Sequence, residues 1–170
     1  MLFVNTIAEI VHGLVDQYAG NANKNIGDAF LVVWKIPEKD TFVDQYSWQL
    51  MPRMSGSNWI WAEMSLVSFC LILAGIWESR KCDSYWDNED LNAWMPNYWV
   101  SLGFGLHIGW AIEGAIGSTF KIDASYLSPN VNMANILEAA TKEYGCPLLF
   151  TNDLVDHFGE KIKSEIRILD

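Results

Sequence analysis

The chain has 170 residues, of which 51% are hydrophobic and 19% are charged. This composition is typical of one globular domain with a sizeable core, and it excludes the disordered and low-complexity classes. Eleven basic residues stand against 21 acidic ones, so the formal net charge is −10. A field of this sign repels phosphate backbones, and we therefore expect no nucleic-acid partner.

The cysteines and the apolar stretches point to an intracellular protein. Cys70, Cys82 and Cys146 are odd in number and widely spaced, which favours reduced thiols over disulfides or a metal site. The N-terminus lacks the basic region and the cleavage site of a signal peptide. The most apolar stretch, residues 65–77, is shorter than the roughly 20 residues that a bilayer requires. We interpret it as a buried core helix and expect no membrane segment in this chain.

The first half of the chain predicts a helix, a hairpin and a second helix. Over residues 6–18 the apolar side chains recur at helical spacing. Gly27 and Asp28 separate a polar stretch from a β-branched and aromatic run, which predicts two strands joined by a tight turn at Asp28. Residues 36–57 lack a steady period and suggest a surface insert, and a long helix is expected over residues 58–80.

The second half predicts an acidic loop, two strands and further helices. The expected elements are a loop over residues 82–97, strands over 98–107 and 110–116 around Gly109, a connection through Lys121 and Asp123, a helix over 130–144, a strand over 147–150, and a last helix from Thr151 to Phe158. The whole order predicts an α+β sheet layered with helices, as one domain over residues 1–170.

Two stretches contain candidate functional residues. In NKNIGDAF, Lys24 precedes Asp28 by four residues, and a carboxylate at a hairpin apex can reach a cation; an ordinary Gly-Asp turn is the alternative. In GFGLHIGWAIEGAIG the glycines match a dinucleotide loop only weakly, because a strand pattern follows them. We expect His107 to be a hydrogen-bonded core histidine and Glu113 to support the neighbouring strand.

Taken together, IGDAF, GLHIGWAIEGAIG and SPNVNMA resemble, in order and spacing, the class III nucleotidyl cyclases, the adenylate and guanylate cyclase catalytic domain. The resemblance runs from Phe3 to Phe158 and looks most like cyclase domains of protists. It implies a ferredoxin-like antiparallel sheet covered by helices, and the conversion of ATP or GTP to the cyclic 3′,5′-monophosphate and pyrophosphate in intracellular signalling. In that family a head-to-tail dimer forms the site, and two aspartates hold divalent ions, Mg²⁺ or Mn²⁺.

The resemblance also implies roles for four residues. Asp28 resembles a metal-binding aspartate, and Lys24 resembles the lysine that hydrogen-bonds the purine ring. Asp123 resembles the acid that faces the adenine amino group, and Asn132 resembles the asparagine that orients the ribose. A lysine that donates to ring N1 beside a carboxylate that accepts from the amino group suits adenine, so we expect ATP in preference to GTP.

Two departures from the family pattern lower the expected activity. The family's first metal aspartate, in a strand motif of the type F-D-I-x-x-F-T, is not found before the first helix, so we interpret the chain as an N-terminally truncated domain without its first strand. Ile136 replaces the transition-state arginine of the family, and an apolar side chain cannot neutralise phosphoryl charge. The alternative is a non-catalytic module that dimerises with a complete cyclase domain. For either function we expect a homodimer or a heterodimer with another cyclase domain, inside the cell, in the cytoplasm or tethered to a membrane through an upstream region.

Overall fold

The computed structural model of the chain describes residues 2–53, 58–78 and 82–169. The helices are α1 (Leu2–Gln17), α2 (Asn58–Glu78), α3 (Asp83–Trp86), α4 (Glu89–Trp94), α5 (Pro129–Tyr144), α6 (Asn152–Val155) and α7 (Glu160–Lys163). The strands are β1 (Asn21–Ile26), β2 (Ala29–Val33), β3 (Thr41–Val43), β4 (Leu50–Pro52), β5 (Phe104–Leu106), β6 (Ile112–Gly117), β7 (Ile122–Leu127) and β8 (Leu148–Phe150). This mixture of antiparallel hairpins and covering helices confirms the predicted α+β class.

The hairpin predicted around Gly27 and Asp28 is confirmed. Strands β1 and β2 are antiparallel, and Ile26 pairs with Ala29 across a two-residue turn. Gly27 has a φ of 66° at the first turn position, where a residue without a Cβ is favoured. Asp28 therefore lies at the exposed apex of the hairpin, as the sequence predicted.

The hairpin predicted around Gly109 is wrong. Strand β5 pairs in parallel with the distant strand β8, with Phe104 opposite Leu148, while β6 pairs antiparallel with β7. The connection predicted through Lys121 and Asp123 is thus partly strand β7, which contains Asp123. This strand has no apolar core face, because five of its six residues remain outside the core and the buried one is the polar Ser125.

The insert and the acidic segment contain short regular elements. Strands β3 and β4 form an antiparallel hairpin within the insert, and residues 54–57 lie outside the described residues. Helices α3 and α4 form where we predicted an acidic loop, because Asn88 caps α4: its Oδ1 accepts from the amide of Leu91 at 2.9 Å.

Helices α1 and α2 pack against each other and form much of the core. The buried side chains of α1 are Ile7, Val11 and Val15. Helix α2 contributes Phe69, Ile72 and Ile76, and the Phe69 ring stacks on Phe104 of β5 with centroids 4.8 Å apart. By length and composition α2 is also apolar enough over Ile60–Glu78 to cross a membrane, and 33% of this stretch is buried inside the molecule. One face of α2 is thus core, as predicted, and the expectation of no membrane segment stays a prediction.

Helix α5 lies directly on β5. A Cβ at Gly105 would be 2.1 Å from the carbonyl oxygen of Ala134, so the glycine permits this close approach. Ser128 caps the helix, Pro129 opens it, and Gly145 ends it in the left-handed conformation at a φ of 63°. The predicted helix over residues 130–144 is confirmed.

The C-terminal region differs from the single capped helix that we predicted between Thr151 and Phe158. Helix α6 occupies only Asn152–Val155 of this region, and a second short helix, α7, follows it at Glu160–Lys163. The side chain of Thr151 makes no capping hydrogen bond there. Its Oγ1 instead lies 2.8 Å from Nδ1 of His107, so the hydroxyl makes a tertiary hydrogen bond in place of a local capping bond.

Candidate nucleotide site

Lys24 lies on β1 and contacts β7 through its side chain. Its Nζ donates a hydrogen bond of 2.7 Å to Oγ of Ser125. The neighbouring Asn23 lies where the β1–β2 register shifts, and its Nδ2 donates to the carbonyl oxygen of Ala124 at 3.5 Å. These two contacts bring the β1–β2 hairpin alongside β7, although the backbone ladder pairs β1 only with β2 among the described strands.

Asp123 shares a face of β7 with Ser125. Side chains two residues apart in a strand point to the same side, so the Lys24 ammonium lies on the face that contains the Asp123 carboxylate. That carboxylate is 57% exposed, and its Oδ2 lies 3.3 Å from Nζ of Lys121. The structure thus places a fixed cation and an accessible carboxylate on one face of a strand.

Lys35 contacts the opposite face of the β6–β7 hairpin. Glu113 and Tyr126 are cross-strand neighbours on β6 and β7, and the Tyr126 hydroxyl donates to Oε1 of Glu113 at 3.0 Å. Lys35 donates to Oε2 of the same carboxylate. The hydrogen bond from Lys35 lowers the pKa of Glu113, and the same pairing raises the pKa of Lys35. Glu113 therefore has the supporting role expected for it.

Asp28 contributes one exposed carboxylate at the apex of the β1–β2 turn. In the described part of the chain, no group of three or more His, Cys, Asp or Glu side chains is arranged to hold a metal ion. A magnesium ion in proteins commonly combines one or two carboxylates with phosphate oxygens and water. The described residues therefore do not fit a preformed metal centre, and Asp28 alone supplies a single ligand.

Asn132 lies in the first turn of α5, beyond the end of β7. From Asp123 to Leu127 the strand rises by about 13 Å at 3.3 Å per residue. Asn132 is exposed, and Ile136 follows one helical turn later with 51% of its side chain exposed. The order from the start of β7 into α5 is therefore Asp123, Asn132 and Ile136.

The start of α5 is fixed by a polar network. Nε2 of His107 lies 3.1 Å from Oδ1 of Asn130, and Nδ2 of Asn130 donates to the carbonyl oxygen of Trp110 at 2.9 Å. Oγ of Ser128 donates to the same carbonyl oxygen at 2.6 Å. His107 is thus hydrogen-bonded, as expected, but half-buried and not in the core, and the network sets the position of the turn that contains Asn132.

The four predicted residues are not all brought together. Lys24 and Asp123 meet on one face of β7 through Ser125. In the described part of the chain, the side chains of Asp28 and Asn132 make no hydrogen bond or ion pair to either of them. The sequence analysis missed Ser125, Asn23 and Asn130. Ser125 had one available signal, since it follows Asp123 by two residues, but that spacing has meaning only once the segment is known to be a strand.

The chain is similar to known proteins in sequence and in structure. No family model matches it. The adenylate cyclase of Anabaena cylindrica is 23% identical over 171 residues, covering 99% of this chain and 28% of that protein. The chain therefore spans little more than a quarter of the length of this curated relative.

Solved cyclase structures have the same fold. A bacterial light-regulated adenylyl cyclase superposes with a TM-score of 0.63 and 22% identity, covering 92% of this chain and 37% of its own. The guanylyl cyclase Cya2 superposes with a TM-score of 0.58 and 15% identity, covering 92% of this chain and 67% of its own. Because an adenylyl and a guanylyl cyclase both match, the fold does not select the base. The chain has the fold of these adenylyl and guanylyl cyclase structures and is similar in sequence to an adenylate cyclase.

Proposed function

We propose that this cyclase-type domain binds a purine nucleotide, ATP in preference to GTP, and turns it over slowly or not at all by itself. The observation that carries this proposal is the contact between Lys24 Nζ and Ser125 Oγ on the face of β7 that contains Asp123. It gives a strand face one cationic donor and one anionic acceptor, which is the pairing that the edge of adenine requires.

The base preference follows from donors and acceptors. Adenine presents an acceptor at ring N1 beside a donor amino group, so Lys24 would donate to N1 while Asp123 accepts from the amino group. Guanine presents N–H donors at N1 and N2 and an acceptor at O6. In the position of the adenine ring it would place its N1–H against the Lys24 ammonium and its O6 against the Asp123 carboxylate. An unpaired or opposed polar group in a binding site costs about 1–3 kcal/mol, enough to set a preference of tenfold or more.

The order of residues along β7 and α5 matches the order of parts in a nucleotide. With the base at Asp123, the sugar would lie toward Asn132, whose amide can both donate to and accept from ribose oxygens. The phosphates would then lie near Ile136 and the start of α5. Because Ile136 has no charge, it would stabilise the transferring phosphoryl group poorly, and turnover would be slow.

Asp28 is proposed to contact a divalent ion that arrives with the nucleotide. One carboxylate does not hold Mg²⁺ or Mn²⁺ firmly, but triphosphate oxygens can supply further ligands. The role of this chain's own residue is then to orient the metal–nucleotide complex, and no further step is assigned to the ion.

Exposed apolar residues favour dimerisation as a part of the proposal. Ile112, Ile116 and Leu127 share one face of the β6–β7 hairpin and are 62%, 54% and 63% exposed. They are contiguous with Asp123, which pairs with Ile116. An exposed apolar face beside a polar site is typical of an interface, so a second domain would bind there, either another copy of the chain or a complete cyclase domain. Binding to a complete cyclase domain is the second candidate function, in which this chain is a non-catalytic partner module.

Equilibrium binding tests the proposed nucleotide site. We expect the purified chain to bind ATP with Mn²⁺ in isothermal titration, with affinity for GTP about tenfold lower. Lys24→Met should remove the preference, because it keeps the length of the side chain without its charge. Lys39→Met, at an exposed lysine in the insert, is the matched control and should leave both affinities unchanged. No binding of either nucleotide at millimolar concentration, alone or with a cyclase domain as partner, would contradict the proposal.

Cyclic nucleotide production by the chain alone and by its mixture with a cyclase domain distinguishes the two candidate functions. A partner module should produce no cyclic nucleotide alone and should raise the output of a cyclase domain that lacks its own base and ribose contacts. A self-sufficient enzyme should instead show activity that rises with the square of its own concentration at low concentration, since two copies must meet.

A further inference from the structure

Tryptophan side chains lie at the surface in residues 82–99, a region that has no role in the proposed function. Trp94 is 88% exposed and Trp99 is 51% exposed. Trp99 stacks on Trp86 with ring centroids 4.2 Å apart and an interplanar angle of 9°. We call Trp86, Trp94 and Trp99 the tryptophan surface. Large aromatic rings that remain in water are typical of binding surfaces, where tryptophan is enriched among the residues that contribute most to affinity.

Hydrogen bonds from one asparagine hold the tryptophan surface in place. Nδ2 of Asn92 donates to the carbonyl oxygen of Trp86 at 2.6 Å, and Oδ1 of Asn92 accepts from the amide of Tyr98 at 3.3 Å. Because Trp99 follows Tyr98, these two bonds fix the two segments whose rings stack. The rings therefore have their positions before a partner arrives, which reduces the entropy lost on binding.

The same region is acidic and contains no basic residue. Residues 82–120 include neither Lys nor Arg. Four carboxylates lie close in sequence to the tryptophans, and none of them belongs to an ion pair of the described residues: Asp83, Asp87, Glu89 and Asp90. The charge of the region therefore favours a cationic partner.

Two of these carboxylates lie one helical turn from a tryptophan. Asp90 and Trp94 are four residues apart in α4, and Asp83 and Trp86 are three residues apart in α3, so each pair shares a side of its helix. A guanidinium group is planar, stacks on an indole ring and has donors at its edge for a neighbouring carboxylate. An ammonium is a compact, strongly hydrated charge and fits this arrangement less well.

An unpaired donor also belongs to the tryptophan surface. Nε1 of Trp86 is buried, and no group of the described residues accepts its hydrogen. Buried polar groups in native proteins are nearly always hydrogen-bonded, so an unpaired donor marks a place where an acceptor is missing. The backbone carbonyl groups of a peptide are such acceptors, which favours a peptide over a lipid surface as the occupant.

We propose that the tryptophan surface binds an arginine-containing peptide segment of a partner protein. One guanidinium stacks on Trp94 and donates to the carboxylate of Asp90, and the exposed part of the Trp99 ring takes a second. This function goes beyond the proposed nucleotide binding and does not depend on it.

The test measures the affinity of the full chain for a fluorescently labelled peptide with arginines in a glycine-serine background, by fluorescence anisotropy without nucleotide. The same peptide with lysines has equal charge and should bind about threefold more weakly. Trp94→Leu and Asp90→Asn change exposed side chains, and each should weaken binding of the arginine peptide about threefold. Trp48→Leu, at a tryptophan that is 81% exposed in the insert, and Asp16→Asn, at an exposed aspartate of α1, are the matched controls and should retain the affinity.

A double-mutant cycle shows whether one guanidinium contacts both side chains. For the arginine peptide, the Trp94→Leu, Asp90→Asn variant should lose about threefold, as each single variant does, and not the roughly ninefold of two independent losses. Equal affinity for the arginine and lysine peptides, or no binding of the arginine peptide at millimolar concentration, would overturn the proposal. Binding to phosphatidylcholine vesicles that Trp94→Leu removes, without peptide binding, would identify a lipid surface instead. Each of these results leaves the proposed nucleotide site intact.

Discussion

Lys24 and Asp123 present a donor and an acceptor on one face of β7. A substitution that exchanges the donor for an acceptor should therefore switch the base preference. Lys24→Glu replaces the donor with an acceptor that suits the N–H groups of guanine. We expect the preference to move toward GTP by about tenfold or more, measured as the ratio of the two dissociation constants. An ATP to GTP ratio equal to that of the wild type would mean that Lys24 does not contact the base.

Asp28 is expected to govern the effect of the divalent ion. A ligand that binds only the folded state raises the melting temperature, and the stabilisation grows with the logarithm of one plus the ratio of ligand concentration to dissociation constant. Mn²⁺ should therefore increase the stabilisation by ATP in the wild type, and Asp28→Asn should remove this increase. Asp153→Asn, an exposed aspartate on α6, is the control. A full Mn²⁺ effect in the Asp28→Asn variant would contradict the assignment.

Glu113 makes the stability of the β6–β7 hairpin depend on pH. The hydrogen bond from Lys35 lowers its pKa below the ordinary 4.5. A carboxyl group whose folded-state pKa is lowered contributes stability above its unfolded pKa, and that contribution is lost as the pH falls through the folded value. Glu113→Gln should thus lower the melting temperature at pH 7, and the difference should vanish in acid.

The size of this pH effect should be small because both partners are exposed, at 70% for Lys35 and 50% for Glu113. High salt should reduce it further. Glu143→Gln on α5 serves as the control. A difference between Glu113→Gln and the wild type that persists at pH 2 would show that packing, not the ion pair, is responsible.

Among the elements, those defined by neighbouring residues were predictable. Gly27 and Asp28 specify a two-residue turn by their own conformational preferences, and α5 is bounded by Pro129 and Gly145. The pairing of β5 with β8 was not predictable, because residues more than 40 positions apart in sequence meet through packing that leaves no local pattern.

The candidate site shows the same division. Lys24 and Asp28 were located from a turn signal and from the family resemblance, whereas Asp123 was assigned to a connection. Residues 122–126 of strand β7 alternate between apolar and polar, but the buried residue of the strand is the polar Ser125, so the alternation does not indicate a face that packs on the core. The contact between Lys24 and Ser125 joins residues 101 positions apart and therefore required the fold.

The close packing of β5 on α5 gives a prediction for two glycines. Gly105→Ala would force a Cβ against the backbone of Ala134, and overpacking of this kind costs about 1–3 kcal/mol or more of unfolding free energy. Gly13→Ala in α1 is the matched change, because nothing lies within 4 Å of its added Cβ. It should stabilise the chain by up to about 1 kcal/mol, through helix propensity. Equal effects of the two variants in urea denaturation would contradict the packing of α5 on β5.

On the scale of the whole molecule, the exposed face of the β6–β7 hairpin predicts self-association. Ile112, Ile116 and Leu127 form an apolar patch that a stable monomer would rarely leave in water. Sedimentation should show a dimer at high concentration, and Ile116→Lys should shift the equilibrium toward monomer. Ile168→Lys, at an isoleucine that is 83% exposed near the C-terminus, is the control. Identical monomeric behaviour of the wild type and Ile116→Lys at all concentrations would rule out this face as the interface.

One measurement tests the central claim that this cyclase-type domain binds ATP but turns it over poorly. Radiolabelled ATP and Mn²⁺ are incubated with the purified chain, the nucleotide retained by the protein is quantified by equilibrium dialysis, and its chemical form is then identified by chromatography. We predict that the wild type retains ATP, that Lys24→Met retains less of it, and that the nucleotide is recovered unchanged from both, because Ile136 offers no charge to the phosphoryl group. No retained nucleotide at millimolar ATP, or rapid conversion of ATP to cyclic AMP by the unmodified chain, would contradict the account.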